Sequence, residues 1–229
     1  MSEEIKLIEV KEDIQADNTA RAKELQDSLR KEKTFLLNLM ASPGAGKTSL
    51  VIQTIRHLKE KVRIGVMEAD IDSMVDAEKV AKEGVDAIQI RTGGFCHMDA
   101  TMVQDGLDAM DTDRLDLVIL ENVGNLVCPA EFDIGEDARV VVLSVTEGED
   151  KPAKYPLMFR ECEVALLNKI DLLPYLDYDK QKAIDFIHQV HPDMPVFEIS
   201  AKTEEGFQPW IEWLKGKVGQ KAKSKEHRA

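Results

Sequence analysis

Short apolar runs alternate with amphipathic stretches along most of the chain after residue 33. The runs are rich in valine, isoleucine and leucine and have the length of strands: residues 35–40, 62–67, 87–90, 115–120, 140–145, 164–167 and 196–199. Between several of them, apolar residues recur at helical spacing: 75–82, 98–110, 178–190 and 207–218. Continuously apolar strands separated by helices are typical of a parallel sheet with both faces covered. The pattern predicts an α/β fold whose largely parallel sheet is flanked by helices on both faces.

The two ends of the chain differ from this central part. The N-terminal residues are mostly charged, and a helix is predicted from a cap at Asn18 or Thr19 to about Lys33, with an apolar face of Ala22, Leu25 and Leu29. The last residues are rich in lysine, which is typical of a solvated, frayed end. The predicted parts are a helical extension, one domain and a disordered basic tail: residues 1–33, 34–218 and 219–229.

The turn after the first strand has the composition of a phosphate-binding loop. A glycine-rich turn ending in Gly46-Lys47-Thr48 separates an apolar strand from an amphipathic helix, although Ala41 replaces the first glycine of the usual G-x-x-x-x-G-K-[ST] pattern. Glycines let backbone N–H groups point at a phosphate, and the helix N-terminus adds positive partial charge. Lys47 is predicted to reach the terminal phosphates, and the Thr48 hydroxyl to bind magnesium. The predicted nucleotide-binding residues here are Gly44, Ala45, Gly46, Lys47, Thr48 and Ser49.

Two later strand ends indicate that the nucleotide carries guanine. An apolar strand ends in Asn168-Lys169-Ile170-Asp171, and Asp171 could accept two hydrogen bonds from guanine N1–H and its exocyclic amine. The stem of Lys169 could lie along the base, while Asn168 ties this loop to the phosphate region. Ser200-Ala201-Lys202 follows the next strand, and its backbone N–H groups are expected to meet the guanine carbonyl. The order of these signals after the phosphate loop predicts GTP and GDP as ligands.

Carboxylates at two further strand ends are candidates for the magnesium ion and the γ-phosphate. Glu121 ends the fourth apolar run, and Gly124 could offer a backbone N–H to the γ-phosphate. Asp70 follows another strand and is predicted to bind magnesium or position water; a solvated loop carboxylate or a helix cap is the alternative. The predicted magnesium ligands are therefore Thr48, Asp70 and Glu121, and the predicted catalytic residues are Lys47, Asp70, Glu121 and Gly124.

Two of the three cysteines lie in unusual surroundings. Cys96 and His97 follow a Gly-Gly pair, and Cys128 lies four residues beyond Gly124, whereas Cys162 has no such setting. Thiolate and imidazole are ligands for zinc and nickel. Three ligands indicate either an open, exchangeable site or one shared across a two-fold axis. The alternative is that both cysteines are small buried hydrophobic residues and that His97 only begins a helix.

The net charge, the absence of long apolar segments and the few cysteines exclude several classes of protein. The chain has 229 residues and a formal net charge of −13, which argues against a nucleic-acid partner because phosphate backbones would repel it. No apolar segment is long enough to span a bilayer, and the polar N-terminus is unlike a signal peptide. Three cysteines without a disulfide framework favour the reducing cytoplasm, so we expect no membrane association and a cytoplasmic location.

At these residues the chain resembles the HypB family, the nickel-incorporation GTPases of nickel–iron hydrogenase maturation, which are SIMIBI-like P-loop NTPases. The most specific pieces are Cys96-His97-Met98-Asp99-Ala100 and the stretch from Glu121-Asn122-Val123-Gly124 to Cys128-Pro129. The resemblance implies a homodimer that depends on nucleotide or metal, a HypA-type nickel chaperone as partner, and delivery of nickel to a hydrogenase large-subunit precursor. It implies nickel or zinc at Cys96, His97 and Cys128, and contact of Lys154 with the nucleotide of the opposite subunit.

Some family features are absent or altered. Residues 1–33 contain neither an N-terminal cysteine motif nor a histidine-rich stretch, and Ala69 and Ser73 stand where glycine and threonine are common. No residue is assigned as an arginine finger or a water-orienting glutamine, which predicts slow GTP hydrolysis. The alternatives are a zinc or nickel storage module without productive hydrolysis, a metallochaperone GTPase for another metalloenzyme, and a Ras-like switch with idle thiols.

Overall fold

A single parallel sheet forms the centre of the molecule. The computed structural model describes residues 10–71 and 74–223, and within them seven strands make up this sheet. The strands are β1 Phe35–Ala41, β2 Ile64–Asp70, β3 Asp86–Arg91, β4 Leu117–Glu121, β5 Ala138–Ser144, β6 Val164–Asn168 and β7 Val196–Glu198. Their spatial order is β3-β2-β4-β1-β5-β6-β7, and every neighbouring pair is parallel. The predicted fold class and all seven predicted strands are confirmed.

Helices connect the strands and cover both faces. The α-helices are α1 Val10–Glu32, α2 Lys47–Leu58, α3 Val75–Ala81, α4 Ala100–Asp108, α5 Cys128–Glu131, α6 Lys151–Lys154, α7 Pro156–Glu161, α8 Lys180–Val190 and α9 Phe207–Lys223, with 3₁₀ turns at Thr112–Arg114 and Ile170–Tyr175. Side chains alternate across a strand, so β1 sends Leu37 and Leu39 into a core with α2 and α9. Leu36 faces α1 and α4, and Met40 faces α7 and α8 on the same side. This two-sided burial explains why β1 is buried along its whole length.

The N-terminal helix begins earlier than the sequence predicts. Helix α1 starts at Val10, so Asn18 lies inside it and does not cap it. The buried Asn18 amide donates to the Asp133 carbonyl at 2.6 Å and accepts from the Ala100 N–H at 2.9 Å. These partners lie far along the chain, and they outweigh the local preference of asparagine for a helix end. The predicted apolar face is confirmed, because its members are all buried: Ala22, Leu25 and Leu29.

The last helix extends beyond residue 218, where the predicted domain ends. Helix α9 continues to Lys223, and residues 224–229, the rest of the predicted basic tail, lie outside the described residues. Lys217 pairs with Glu163 at 2.5 Å, and Lys221 pairs with Asp137 at 2.5 Å. These ion pairs attach the end of the helix to residues that precede β5 and β6, so these two lysines are part of the folded domain. No helix within residues 10–71 and 74–223 is long and apolar enough to cross a membrane.

Candidate nucleotide and metal sites

The glycine-rich turn has the geometry of a phosphate-binding loop. Strand β1 ends at Ala41, and α2 begins at Lys47, whose side chain is buried. Gly44 and Gly46 have φ of 76° and 98°, a conformation that side-chain-bearing residues rarely adopt. A Cβ on Gly46 would lie 2.7 Å from the amide nitrogen of Asn168. Glycine at position 46 is therefore required by both its backbone angle and its close neighbour.

Glu147 makes a second contact to this loop, which the sequence does not predict. The Ser42 hydroxyl donates a hydrogen bond to Glu147 Oε1, and Glu147 Oε2 accepts from the Ser144 N–H at 3.0 Å. Glu147 follows β5, the strand beside β1. Glu147 lies just after an apolar strand, as the other site residues do, and this position could have identified it as a site residue.

Asn168 joins the predicted base-binding loops to the phosphate loop. Its amide donates to the Ala45 carbonyl at 3.0 Å and accepts from the Ala201 N–H at 3.1 Å. Lys169 donates to the Gly44 carbonyl at 2.6 Å. The loop after β6, the turn after β7 and the phosphate loop therefore meet at one point, as the sequence analysis expected for Asn168.

Asp171 is held by the turn that follows β7. The Ser200 hydroxyl donates to Asp171 Oδ1 at 2.6 Å and receives the Lys202 N–H at 3.3 Å. The backbone N–H groups of this turn are predicted to meet the guanine carbonyl; here the N–H of Ala201 points to Asn168, and that of Lys202 points to Ser200. The Asp171 carboxylate thus has one fixed oxygen and a defined orientation beside the phosphate loop.

Carboxylates and the phosphate loop surround one cavity of about 450 Å³. Its walls include eight of the predicted residues: Gly44, Gly46, Lys47, Thr48, Ser49, Asp70, Glu121 and Gly124. Glu121 is buried, and its Oε1 accepts from the Thr48 hydroxyl at 3.0 Å. Asp70 lies on the same wall but is exposed. The structure therefore brings the predicted phosphate and magnesium residues together.

Glu68 is a residue of this cavity that the sequence analysis did not assign. It is only 3% exposed and stands opposite Glu121 in the pairing of β2 with β4. Among the described residues, neither Glu68 Oε1 nor Glu121 Oε2 has a hydrogen-bond partner. Two orphaned carboxylate oxygens beside the Thr48 hydroxyl are the hard oxygen ligands that Mg²⁺ prefers. The residues present therefore fit a magnesium ion.

Burial and mutual repulsion raise the pKa values of this carboxyl pair. Burial, followed by the charge of Glu121, raises the pKa of Glu68 to about 10. Burial also raises the pKa of Glu121, although the charge of Lys47 opposes that rise. At neutral pH the pair favours keeping a proton, because two adjacent buried carboxylates repel each other. A cation at this position would remove that repulsion.

The three predicted transition-metal ligands converge within one chain. Sγ of Cys96 lies 3.1 Å from Sγ of Cys128 and 3.9 Å from Nδ1 of His97, and ligand atoms of all three lie within 4.8 Å of one another. Cys96 is exposed, which excludes the interpretation of this residue as a buried hydrophobic side chain. Cys162, by contrast, is buried apart from the group. Two sulfurs and an imidazole nitrogen at these separations can bind a thiophilic divalent metal ion.

Local backbone structure explains how adjacent Cys96 and His97 both reach this point. Gly93 and Gly94 have φ of 62° and 102°, and they turn the chain before α4 begins. The Asn125 amide donates to the Cys96 carbonyl at 3.2 Å, and its oxygen accepts from the Val127 N–H at 2.9 Å. Asn125 therefore connects the loop that carries Cys96 to the loop that carries Cys128.

His97 is oriented by an aromatic neighbour. Its ring stacks on Phe132 with a centroid distance of 4.0 Å and an interplanar angle of 23°, while Phe95 approaches edge-on at 6.4 Å. Burial lowers the pKa of His97, more than the nearby carboxylates of Asp99 and Glu131 raise it. A lowered pKa favours the neutral imidazole, which is the form that binds metals.

The nucleotide cavity and the metal ligands are connected by one short segment. Gly124 lies in the loop between Glu121 and Cys128 and packs directly on the phosphate loop. A Cβ on Gly124 would stand 3.0 Å from both Cγ and N of Pro43. Movement of the phosphate loop at Pro43 must therefore displace this segment or open a gap beside it.

Lys154 lies outside the cavity of its own chain. It is on α6, where its ammonium pairs with Asp150 at 2.6 Å, and it is not among the described residues that line the phosphate-loop cavity. Its predicted contact with a nucleotide in an opposite subunit stays a prediction.

The parallel sheet, the phosphate loop and the cavity at the carboxyl ends of the strands define a P-loop nucleotide-binding protein of the GTPase fold. The family model described as "CobW/HypB/UreG, nucleotide-binding domain" matches residues 35–198. The chain belongs to this family and, within it, to the HypB proteins.

Similar proteins support this assignment. The hydrogenase maturation factor HypB of Escherichia coli K12 is 44% identical over 209 residues, which cover 91% of this chain and 72% of that protein. The crystal structure of HypB from Helicobacter pylori in complex with nickel has a TM-score of 0.84 and 32% identity, covering 89% of this chain and 96% of that one. The signal recognition particle 54 kDa protein of Aeropyrum pernix K1 in complex with GDP shares the fold alone, with a TM-score of 0.55, 12% identity and coverage of 90% and 61%.

Proposed function

We propose that this chain is a GTP-hydrolysing metallochaperone that binds nickel or zinc at Cys96, His97 and Cys128 and assists nickel insertion during nickel–iron hydrogenase maturation. The observation that carries the proposal is the contact of Gly124 with Pro43. It joins the phosphate loop to the segment that ends in the metal ligand Cys128. Nickel is the cargo, in keeping with the similar Helicobacter pylori protein, which was solved with nickel.

Guanine recognition is assigned to the loops after β6 and β7. Asp171 would accept the two donors of the guanine edge, with its orientation fixed by the Ser200 hydroxyl at 2.6 Å. Lys169 and Asn168 would support the base and tie it to the phosphate loop, and the turn Ser200-Ala201-Lys202 would close the pocket. Adenine lacks the matching donor pair, so the half-buried Asp171 carboxylate would lose its water contacts without gaining these two hydrogen bonds.

Hydrolysis would proceed by in-line attack of water on the γ-phosphate. The backbone N–H groups of Gly44–Thr48 and the Lys47 ammonium would stabilise the developing negative charge. Thr48, Glu121 and Asp70 would hold magnesium together with Glu68, and the ion would neutralise negative charge of the bound phosphates. Gly124 would donate its N–H to the γ-phosphate. Without a residue assigned to orient water, turnover is expected to be slow.

Hydrolysis would act as a timer for the metal site. GTP and GDP would favour different positions of the segment from Glu121 to Cys128, and metal affinity would differ between them by their coupling free energy. Zinc could occupy the same ligands, because Cys and His suit both ions. A cytoplasmic homodimer, formed with nucleotide or metal, would receive nickel from a HypA-type chaperone and pass it to the hydrogenase large-subunit precursor.

The test is to measure nickel affinity in complexes with GDP and with a non-hydrolysable GTP analogue, for wild type and Cys128→Ala. We expect the two wild-type affinities to differ by about 5-fold to 150-fold, and Cys128→Ala to bind weakly in both states. Cys162→Ala is the matched control, because it also removes a thiol but lies apart from the metal ligands. Equal wild-type affinities in the two states would refute the coupling.

Phosphate release from GTP tests the enzymatic half separately. Wild type should release phosphate slowly, and Lys47→Ala should abolish release. Size-exclusion chromatography of the same samples, with and without nucleotide and nickel, tests the proposed homodimer. Metal binding and dimer formation without any GTP hydrolysis would instead favour the storage module.

A further inference from the structure

A buried ion pair lies behind the metal ligands. Arg139 Nε contacts Glu136 Oε1 at 2.5 Å, and their side chains are only 15% and 2% exposed. Burying two charges has a large desolvation cost, which the attraction between them often does not recover. A net gain in stability therefore does not by itself explain why this ion pair is present, and the groups that it contacts indicate its role.

The guanidinium of Arg139 holds the segment that contains Cys128. One terminal nitrogen donates to the Phe132 carbonyl at 3.1 Å, and the other donates to the Ala130 carbonyl at 3.4 Å. Cys128 is the first residue of α5, and both carbonyls belong to residues within four positions of it. These contacts fix the backbone that carries the Cys128 thiol.

The same contacts fix the aromatic ring beside His97. Phe132 presents its face to the His97 ring at 4.0 Å, and its backbone is held by Arg139. The ring of Phe95 is nearly perpendicular to that of His97 at a centroid distance of 6.4 Å, and Phe95 is 58% exposed. Of these two aromatic neighbours, Phe132 has the fixed backbone and the stacked geometry needed to set the plane of the imidazole.

Glu136 also connects the ion pair to the nucleotide cavity through two asparagines. Glu136 Oε1 accepts from the Asn38 amide at 3.1 Å, and the Asn38 oxygen accepts from the Asn122 amide at 3.1 Å. Both asparagines are fully buried, and Asn122 directly follows Glu121. A continuous set of buried hydrogen bonds thus runs from the end of β4, across β1, to the backbone beside Cys128.

We propose that Arg139 is a positioning residue for the metal site, holding the Cys128 turn and the Phe132 ring in place, with Glu136 linking it through Asn38 to the segment after β4. This inference rests on metal binding at Cys96, His97 and Cys128. It adds a connection between the nucleotide and metal sites that is distinct from the contact of Gly124 with Pro43. Groups that orient metal ligands from behind commonly change metal affinity by about 10-fold to 100-fold when they are replaced.

The experiment compares Arg139→Lys and Phe132→Leu with wild type, using nickel alone as the probe. Lysine keeps the charge near Glu136 but cannot reach two carbonyls at once, and leucine keeps an apolar side chain without a flat face. We expect each variant to weaken nickel binding by about 10-fold or more. We also expect the visible spectrum of the cobalt-substituted protein to change, because the His97 ligand would be displaced. GDP affinity and the thermal unfolding midpoint show that each variant is folded.

Two further variants separate positioning from general loss of packing. Phe132→Tyr retains the ring face and should bind nickel as wild type does, whereas Phe95→Leu removes the exposed edge contact and should change affinity by no more than about twofold. If Arg139→Lys is unstable, Phe132→Leu still carries the test. A wild type that binds nickel, with Arg139→Lys and Phe132→Leu binding equally well, would refute the inference alone. A wild type that binds no nickel would refute the proposed function as well.

Discussion

Replacement of Glu68 by glutamine is expected to stabilise the magnesium-free chain at neutral pH. Burial and the charge of Glu121 raise the pKa of Glu68 from its ordinary value of 4.5 to about 10. Between these two pH values, the folded chain keeps a proton on Glu68 that the unfolded chain has released. The free energy of unfolding therefore falls as pH rises through this window, and below pH 4.5 the group adds no slope.

The size of the effect follows from that window. Each pH unit above the ordinary pKa lowers the free energy of unfolding by about 1.4 kcal/mol. At pH 7, about 2.5 units above the ordinary pKa of 4.5, the upper limit is therefore about 3.5 kcal/mol. Glutamine has nearly the same shape and no proton to lose, so Glu68→Gln removes this contribution.

The assay is urea unfolding with a chelator present, at several pH values between 5 and 8. The difference in unfolding free energy between Glu68→Gln and wild type should be small at pH 5, rise by about 1.4 kcal/mol for each further pH unit, and reach at most about 5 kcal/mol by pH 8. Glu83→Gln is the matched control, because it removes the same charge from a carboxylate whose pKa is lowered by its hydrogen bond from Arg56. The control should be neutral or destabilising. A constant difference across this pH range, or a destabilised Glu68→Gln, would show that Glu68 is ionised in the folded chain.

Three other variants test separate contacts. Gly124→Ala places a methyl group 3.0 Å from Pro43, and overpacking of this kind should lower the free energy of unfolding by about 1–3 kcal/mol. The variant should also reduce the difference in nickel affinity between the GDP and GTP-analogue states. Unchanged values in urea unfolding and nickel titration would contradict the contact. Ser200→Ala removes the hydroxyl that orients Asp171, so GDP affinity by fluorescence titration should fall about 10-fold while ADP binding stays negligible; equal GDP affinity would show that the carboxylate needs no support. Asn18→Ala removes two buried hydrogen bonds of α1 and should lower the unfolding free energy by about 1–3 kcal/mol, whereas an unchanged urea midpoint would mean that α1 is held by its apolar face alone.

Local patterns were sufficient for the strands and for most residues around the sites. The central strands are apolar throughout because helices cover both faces, and site residues come directly after strand ends. The convergence of Cys96 and Cys128 was also predictable, since both follow turns at that edge of the sheet. The helix α1 was predicted from its buried face, but its start was not, because Asn18 is held by Ala100 and Asp133 far along the chain.

The sequence could not indicate the contacts that depend on the order of the strands in the sheet. Glu68 becomes a neighbour of Glu121 only because β2 lies beside β4, and periodicity gives no information on that pairing. The contact of Glu147 with Ser42 likewise requires β5 to lie beside β1. In the local pattern, Glu68 and Glu147 each look like a carboxylate just beyond an apolar strand, and nothing in that pattern indicates which residue it contacts. Their roles come from packing between distant segments.

Asn168 carries a consequence for the motions of the molecule. One side chain accepts the N–H of Ala201 and donates to the carbonyl of Ala45, and it fills the space that a side chain on Gly46 would need. The Ala201 amide proton can reach solvent only when this attachment opens. Its hydrogen–deuterium exchange should therefore slow together with that of the phosphate-loop amides when a nucleotide binds, as for a single rigid body. Loss of the shared response in Asn168→Ala would show that the Asn168 side chain couples the motions of the three loops.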